Sequence, residues 1–172
     1  MKTPWHCLWL TAFTSSTAVG VMAALRSHRE GQSPWTSVNA ISHIVWGDRA
    51  GSIHGPTLRH TGTGVILNFL ACAFWAGFYR AGRRVLPETD PLRRAAVLGL
   101  GTSAIAYITD YYVVPRRFTP GFELTLSRQS FPWIYGALAI GLILPEWFDS
   151  RGIGGPCAVP RARPHHKHKR LF

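Results

Sequence analysis

Asp110 is the charged residue best placed to do chemistry, because it lies near the end of a long run of apolar residues. Arg116, Arg117 and Glu123 follow it in one short segment. A carboxylate beside arginine stays ionised, and an acid within an apolar stretch often serves a binding site or a proton path. Two hypotheses therefore stay open for Asp110, a structural ion pair with Arg116 or Arg117 and a role in a site.

Histidines supply the second group of candidates. His43, His54 and His60 belong to one segment, and His165, His166 and His168 lie near the C-terminus. Neutral imidazoles bind zinc, copper and haem iron, but the first three follow no helical or zinc-finger spacing. We predict structural or solvated histidines and no cofactor, with weak metal binding by either group as the alternative. We also place His43 and His60 in one polar cluster with the four charged residues above.

Other chemical motifs are missing from the sequence. It contains no CxxC, Walker loop, HExxH or GxSxG, and Cys7, Cys72 and Cys157 have no metal-ligand spacing. The pattern favours a protein that is not an enzyme.

The elements that must position these residues are long and apolar. Hydrophobic residues make up 47% of the chain and charged residues only 16%, against about 25% in soluble domains. Four charge-poor runs approach the roughly 20 residues that cross a bilayer as a helix, at residues 5–25, 61–79, 95–114 and 129–145. We predict an all-α, integral membrane four-helix bundle over residues 1–148, followed by a flexible, basic, histidine-rich tail over residues 149–172.

Small and polar residues within the runs indicate how the helices associate. Ala12, Ser16, Gly20 and Ala24 recur every four residues in the first run, a spacing that lets another helix approach closely. This stripe favours a retained span over a cleaved signal peptide, which is the alternative for this run. Asn68 lies near the middle of the second run, where an interhelical hydrogen bond is expected.

Charge predicts the topology. Of the 19 Lys and Arg residues, 12 fall on the side that holds both termini in a four-span arrangement, so both termini are expected in the cytoplasm of a bacterial inner membrane. The formal charge of +11 is spread over both membrane faces, which argues against nucleic-acid binding. The basic tail is expected to be attracted to anionic lipid.

The loop between the first two runs also carries a folding signal. Ser33-Pro34-Trp35 is typical of a helix start, with a capping hydroxyl followed by proline. Residues 36–46 mix apolar and polar side chains and predict one short amphipathic helix, which lies on the membrane surface or folds back on the bundle. Pro115 is expected to end the third helix.

Two segments carry a resemblance to a known group. They are NAISHIVWG at residues 39–47 with Arg59-His60-Thr61, and DYYVVPRRFTPGFE at residues 110–123. They resemble segments of small, uncharacterised four-span bacterial inner-membrane proteins. The resemblance implies a membrane protein whose two outer loops pair with each other, and it implies no activity.

These observations leave three hypotheses about function. The first is a non-enzymatic accessory or interaction subunit that contacts the lipid bilayer and either a membrane protein partner or further copies of itself. The second is a membrane redox, metal or haem-handling protein that uses the loop histidines. The third is a small transporter.

Overall fold

The structure, a computed structural model, describes residues 4–85, 90–151 and 157. This part of the chain is helical and contains no strand. Four long helices are joined by loops that hold two short ones: α1 (Pro4–Arg29), α2 (Pro34–Ala40), α3 (His43–Trp46), α4 (Thr63–Val85), α5 (Pro91–Ile108) and α6 (Phe131–Ser150).

The long helices pack side by side. α1 packs against α4 and α6, and α5 packs against the same two helices from the other side. Three segments are long and apolar enough to cross a membrane: Trp5–Arg29, Leu58–Val85 and Arg128–Ser150. The third predicted run, at residues 95–114, is not among these three segments. The helix that contains most of it, α5 (Pro91–Ile108), carries Arg93 and Arg94 in its first turn.

Glycines allow two of the closest approaches. A Cβ on Gly141 of α6 would lie 2.4 Å from Cα of Ser15, and one on Gly64 of α4 would lie 2.1 Å from the carbonyl oxygen of Val38 in α2. Thr14 also donates a hydrogen bond of 2.7 Å to the carbonyl oxygen of Gly141. The backbones therefore touch where glycine removes the side chain, as packing by small residues requires.

The helices extend further than the apolar runs. α4 continues to Val85 and α6 to Ser150, so Arg80, Arg83 and Glu146 all lie on helices and not in loops. Glu146 is only 7% exposed; it forms an ion pair of 3.4 Å with Arg80 and a second ion pair with Arg83. Buried charge is tolerated when it is paired, and this pairing stabilises the helix ends beyond the apolar core.

The two loop regions, residues 30–62 and 109–130, meet at the opposite end of the helices, and we call them the loop cap. The sequence predicts one short amphipathic helix here, whereas the structure has two, α2 and α3. Ser33 caps α2 by accepting a hydrogen bond from the backbone nitrogen of Trp35, with Pro34 at the first helical position. Residues 36–40 are buried, so α2 folds back on the bundle.

The predicted tail lies largely outside the described residues, which is the case for His165, His166 and His168. Cys157 is described, and it is 8% exposed. Burial, together with the neighbouring Cys7 thiol, raises the pKa of Cys157 to about 12.

Candidate functional site

Asp110 lies where α5 changes to a wider helical turn. Residues Thr109–Val113 form a π-helical segment, a distortion that often occurs at functional sites, and Pro115 follows two residues later. Oδ2 of Asp110 accepts a hydrogen bond of 2.7 Å from the hydroxyl of Tyr135 on α6. The sequence predicts an arginine partner instead, but among the described ion pairs none joins Asp110 to Arg116 or Arg117, both of which are exposed.

Aromatic rings fix the position of Tyr135. The ring of Tyr107 packs edge-on against Tyr135 at 5.3 Å between centroids, and Tyr111 stacks on Phe131 at 4.8 Å. Tyr111 also contacts the edge of Tyr135. Such pairs contribute about 0.5–1.5 kcal/mol each beyond their buried area, so the partner of Asp110 is held by packing on several sides.

Gly121 brings the second loop region against the first. Its φ of +85° is left-handed, and a Cβ there would lie 2.5 Å from the carbonyl oxygen of Ala40 and 2.8 Å from Nδ1 of His43. His43 is 2% exposed, and its Nδ1 lies 3.0 Å from the same carbonyl oxygen. Since a carbonyl only accepts, Nδ1 is the protonated nitrogen. His43 is thus a buried packing partner of the loop at Gly121.

Asn39 organises the first loop region. Its side chain is fully buried; Nδ2 donates to the carbonyl oxygens of Ile53 and Gly55 at 2.8 and 2.9 Å, and Oδ1 accepts a bond of 2.6 Å from Thr61. His60 lies close by, with Nδ1 3.2 Å from Oγ of Ser42. These bonds give hydrogen-bond partners to backbone carbonyl groups of the loop, which have none within a sheet or a helix.

The remaining predicted residues do not join Asp110 in one hydrogen-bonded cluster. His54 lies 3.2 Å from Oγ1 of Thr36, and Glu123 accepts a hydrogen bond from Thr119. Within the described ranges, no group of three or more His, Cys, Asp and Glu side chains is placed to hold a metal ion. His43, His54 and His60 instead have separate hydrogen-bond partners, which are Ala40, Thr36 and Ser42.

Asn68 makes its hydrogen bonds within the bundle. Its Nδ2 donates to the carbonyl oxygen and to Oγ of Ser16 on α1, both at 2.9 Å. This is the interhelical bond that an amide near the middle of an apolar helix favours.

A cavity of about 330 Å³ lies beneath the loop cap. Apolar side chains of α1, α4, α6 and the loop at residues 118–122 line most of it, among them Val19, Leu67, Trp75, Phe122 and Ile134. Asp110, Tyr135 and Asn68 are its polar lining. The sequence does not reveal this cavity, because its walls come from segments that are distant in the chain.

Comparison with protein-family models, with curated proteins and with solved structures finds no match to this chain. The chemistry of the site therefore has to be argued from its own geometry. That geometry is an apolar cavity with one carboxylate and its tyrosine partner at the end nearest the loop cap.

A second polar contact fastens the loop cap to α1. Glu30 accepts hydrogen bonds from the backbone nitrogen and Oγ of Ser127 at 2.8 and 2.9 Å and from Oγ of Ser130, and it lies 3.6 Å from Arg26. Burial alone raises the pKa of Glu30, but these hydrogen bonds and the Arg26 charge outweigh it, so the pKa lies below its ordinary value of 4.5. The ionised form is thus the one that holds the end of α1 to the start of α6.

Proposed function

We propose that this chain is a four-span inner-membrane protein that works as a non-enzymatic accessory or interaction subunit. The observation that carries the membrane location is the belt of exposed apolar side chains on the long helices. Phe13, Phe78, Ile105 and Ile140 lie one on each helix and are between 57% and 63% exposed. Apolar surface of this extent on every side is stable in lipid and costly in water.

Connectivity supports a fourth span through α5. α4 begins at the loop cap and ends at the opposite end, while α6 begins at the loop cap again. If α4 and α6 both cross the bilayer, the chain between them has to return across it. α5 with the following π-helical segment is the only described part of the chain between them long enough to make that return, at about 1.5 Å of rise per residue.

Charge supports the proposed orientation. Arg80, Arg83, Arg93 and Arg94 lie at the end of the bundle remote from the loop cap. Under the positive-inside rule this end faces the cytoplasm together with both termini, and the loop cap faces the periplasm.

The hydrogen bonds of the loop cap support a role in binding. The side chains of Asn39 and Glu30 are occupied in holding loop segments to each other, and Glu30 also pairs with Arg26 on α1. Groups used in this way build a fixed surface, which suits a protein that presents a binding site.

Location is tested by fractionation and reporter fusions. The chain is expected to remain in membranes after alkaline carbonate extraction. A reporter that works only in the periplasm is expected to be silent after Phe172 and active within residues 48–57. Extraction by carbonate refutes the membrane location, and the reverse reporter pattern refutes the orientation.

Interaction is tested by photo-crosslinking in intact membranes. A photoreactive residue at Phe13, Phe78, Ile105 or Ile140 is expected to give a discrete protein adduct from at least one helix. The same residue at Leu142, which is fully buried, is the control and should give none. Lipid adducts alone at all four exposed positions contradict an accessory role.

A further inference from the structure

We propose that the cavity beneath the loop cap binds a single-chain amphiphile of the bilayer whose head donates hydrogen bonds and carries no negative charge. A protonated amine and a hydroxyl share this chemistry. The inference rests on the proposed membrane location, because that location supplies both the ligand and its route of entry.

The size and lining of the cavity fit one hydrocarbon chain. Its volume of about 330 Å³ lies at the lower end of the range for small-molecule sites, roughly 300–1,000 Å³. Its walls run from Phe118 and Pro120 in the loop cap down to Trp75 on α4. Trp75 lies 12 residues into α4, or about 18 Å along the helix, so the cavity reaches well into the apolar layer.

The lining of the cavity reaches the outer surface of the bundle. Leu70 and Phe118 both line it and are 55% and 60% exposed. Leu70 lies on the first third of α4, about 10 Å below its first residue, where a spanning helix faces hydrocarbon. A molecule dissolved in the bilayer can therefore enter without crossing water.

Asp110 determines the head group. Among the described residues that line the cavity it is the one charged side chain, and none of them is Lys, Arg or His. Tyr135 occupies Oδ2, and no other hydrogen bond joins Asp110 to a described residue, so Oδ1 remains an acceptor. A carboxylate in the cavity lining repels a fatty-acid head and attracts an ammonium or a hydroxyl donor.

The test uses the full chain in nanodiscs and three probes that share one brominated 12-carbon chain: an alkylamine, an alkanol and an alkanoate. Bromine quenches tryptophan at contact, and Trp75→Phe identifies the part of the signal that comes from the cavity. The amine and the alkanol are expected to quench Trp75 saturably. The alkanoate is expected to bind at least tenfold more weakly than the amine.

Two pairs of proteins make the result specific. Asp110→Asn keeps an oxygen that accepts from Tyr135 and removes the charge, so the amine should lose tenfold or more in affinity relative to wild type. Ala71→Phe places a ring in the cavity lining and should abolish saturable quenching, whereas Ala104→Phe, on the exposed side of α5, should leave it intact. Circular dichroism checks that each variant folds.

Several outcomes overturn the proposal. They are quenching that never saturates, equal affinity for the three heads, or equal amine affinity in wild type and Asp110→Asn. If Ala71→Phe fails to fold, the comparison of Asp110→Asn with wild type still decides. If the quenching experiments fail in a chain that resists carbonate extraction, the proposed ligand is refuted and the membrane location is not. If carbonate extracts the chain, the membrane location itself is refuted.

Discussion

Replacing Gly141 by alanine tests whether backbone contact between α1 and α6 holds the bundle together. The new Cβ would lie 2.4 Å from Cα of Ser15, 2.8 Å from its nitrogen and 2.9 Å from the carbonyl oxygen of Thr14. All three are backbone atoms of a 26-residue helix, so the clash is relieved only if the helices move apart. A Cβ on Gly136 of the same helix would meet no described atom within 4 Å, and Gly136→Ala is the matched control.

The expected magnitude follows from two contributions. Overpacking in a close contact costs about 1–3 kcal/mol. Separation of the helices also weakens the bond from Thr14 to the carbonyl oxygen of Gly141, which contributes roughly 0.5–1.5 kcal/mol. Both variants gain the same helix propensity, about 1 kcal/mol. Gly141→Ala should therefore be less stable than Gly136→Ala by about 1.5–4.5 kcal/mol.

The assay is equilibrium unfolding by SDS in mixed micelles, followed by circular dichroism. A second pair extends it to α4, where Gly64→Ala meets the carbonyl oxygen of Val38 and Gly77→Ala meets no described atom within 4 Å. Equal unfolding free energies within either pair would refute backbone contact as the basis of that packing. A more stable Gly141→Ala than Gly136→Ala would reverse the argument outright.

Three further predictions concern the loop cap and the tail. Because folding lowers the pKa of Glu30, the ionised Glu30 side chain stabilises the fold above pH 4.5, and this stabilisation is lost as the pH falls through the lowered pKa. The difference in melting temperature between wild type and Glu30→Gln should therefore shrink from about pH 7 to about pH 3. A difference that stays constant over this range would contradict the prediction. Gly121→Ala should cost about 1–3 kcal/mol more than Gly31→Ala in unfolding free energy, since both have positive φ but only Gly121 has close neighbours; equal losses would exclude the close approach. With its pKa raised to about 12, Cys157 should react with maleimide at about pH 8 at least tenfold more slowly than a cysteine at the exposed Ser150, as measured by mass spectrometry; equal rates would show that it is accessible and ionised.

Much of the helical framework follows from the sequence because it depends on local composition. Charge-poor runs predict the long helices, and Ser33-Pro34 predicts the start of α2. The ends of α4 and α6 do not follow, because the charged residues there, Arg83 and Arg84 in α4 and Glu146 and Asp149 in α6, indicate a loop by composition. Only the ion pairs of Glu146 with Arg80 and Arg83 explain why the helices continue, and those partners are about 65 positions away in the chain.

The candidate site is harder to predict for the same reason. The sequence identifies Asp110 as an acid at the edge of an apolar run, and the nearest cations suggest arginine as its partner. In the structure the hydrogen bond comes instead from a tyrosine of α6, 25 positions away. The π-helical segment at Thr109–Val113 turns Asp110 toward that helix. No residue propensity in the sequence predicts a π-helical turn at this position.

The route by which a ligand reaches Asp110 is set by the loop cap. Asn39 uses both side-chain atoms to hold the loop at residues 53–61, and Gly121 lies against Ala40 and His43 too closely for any other residue. Opening the cap would leave these buried groups without partners, at roughly 1–3 kcal/mol for each. Leu70 and Phe118, exposed residues of the cavity lining, have apolar side chains, so a molecule that passes them breaks no side-chain hydrogen bond of theirs. The side of the bundle is therefore the easier entrance, and a lipid-soluble molecule is the kind of ligand that can use it.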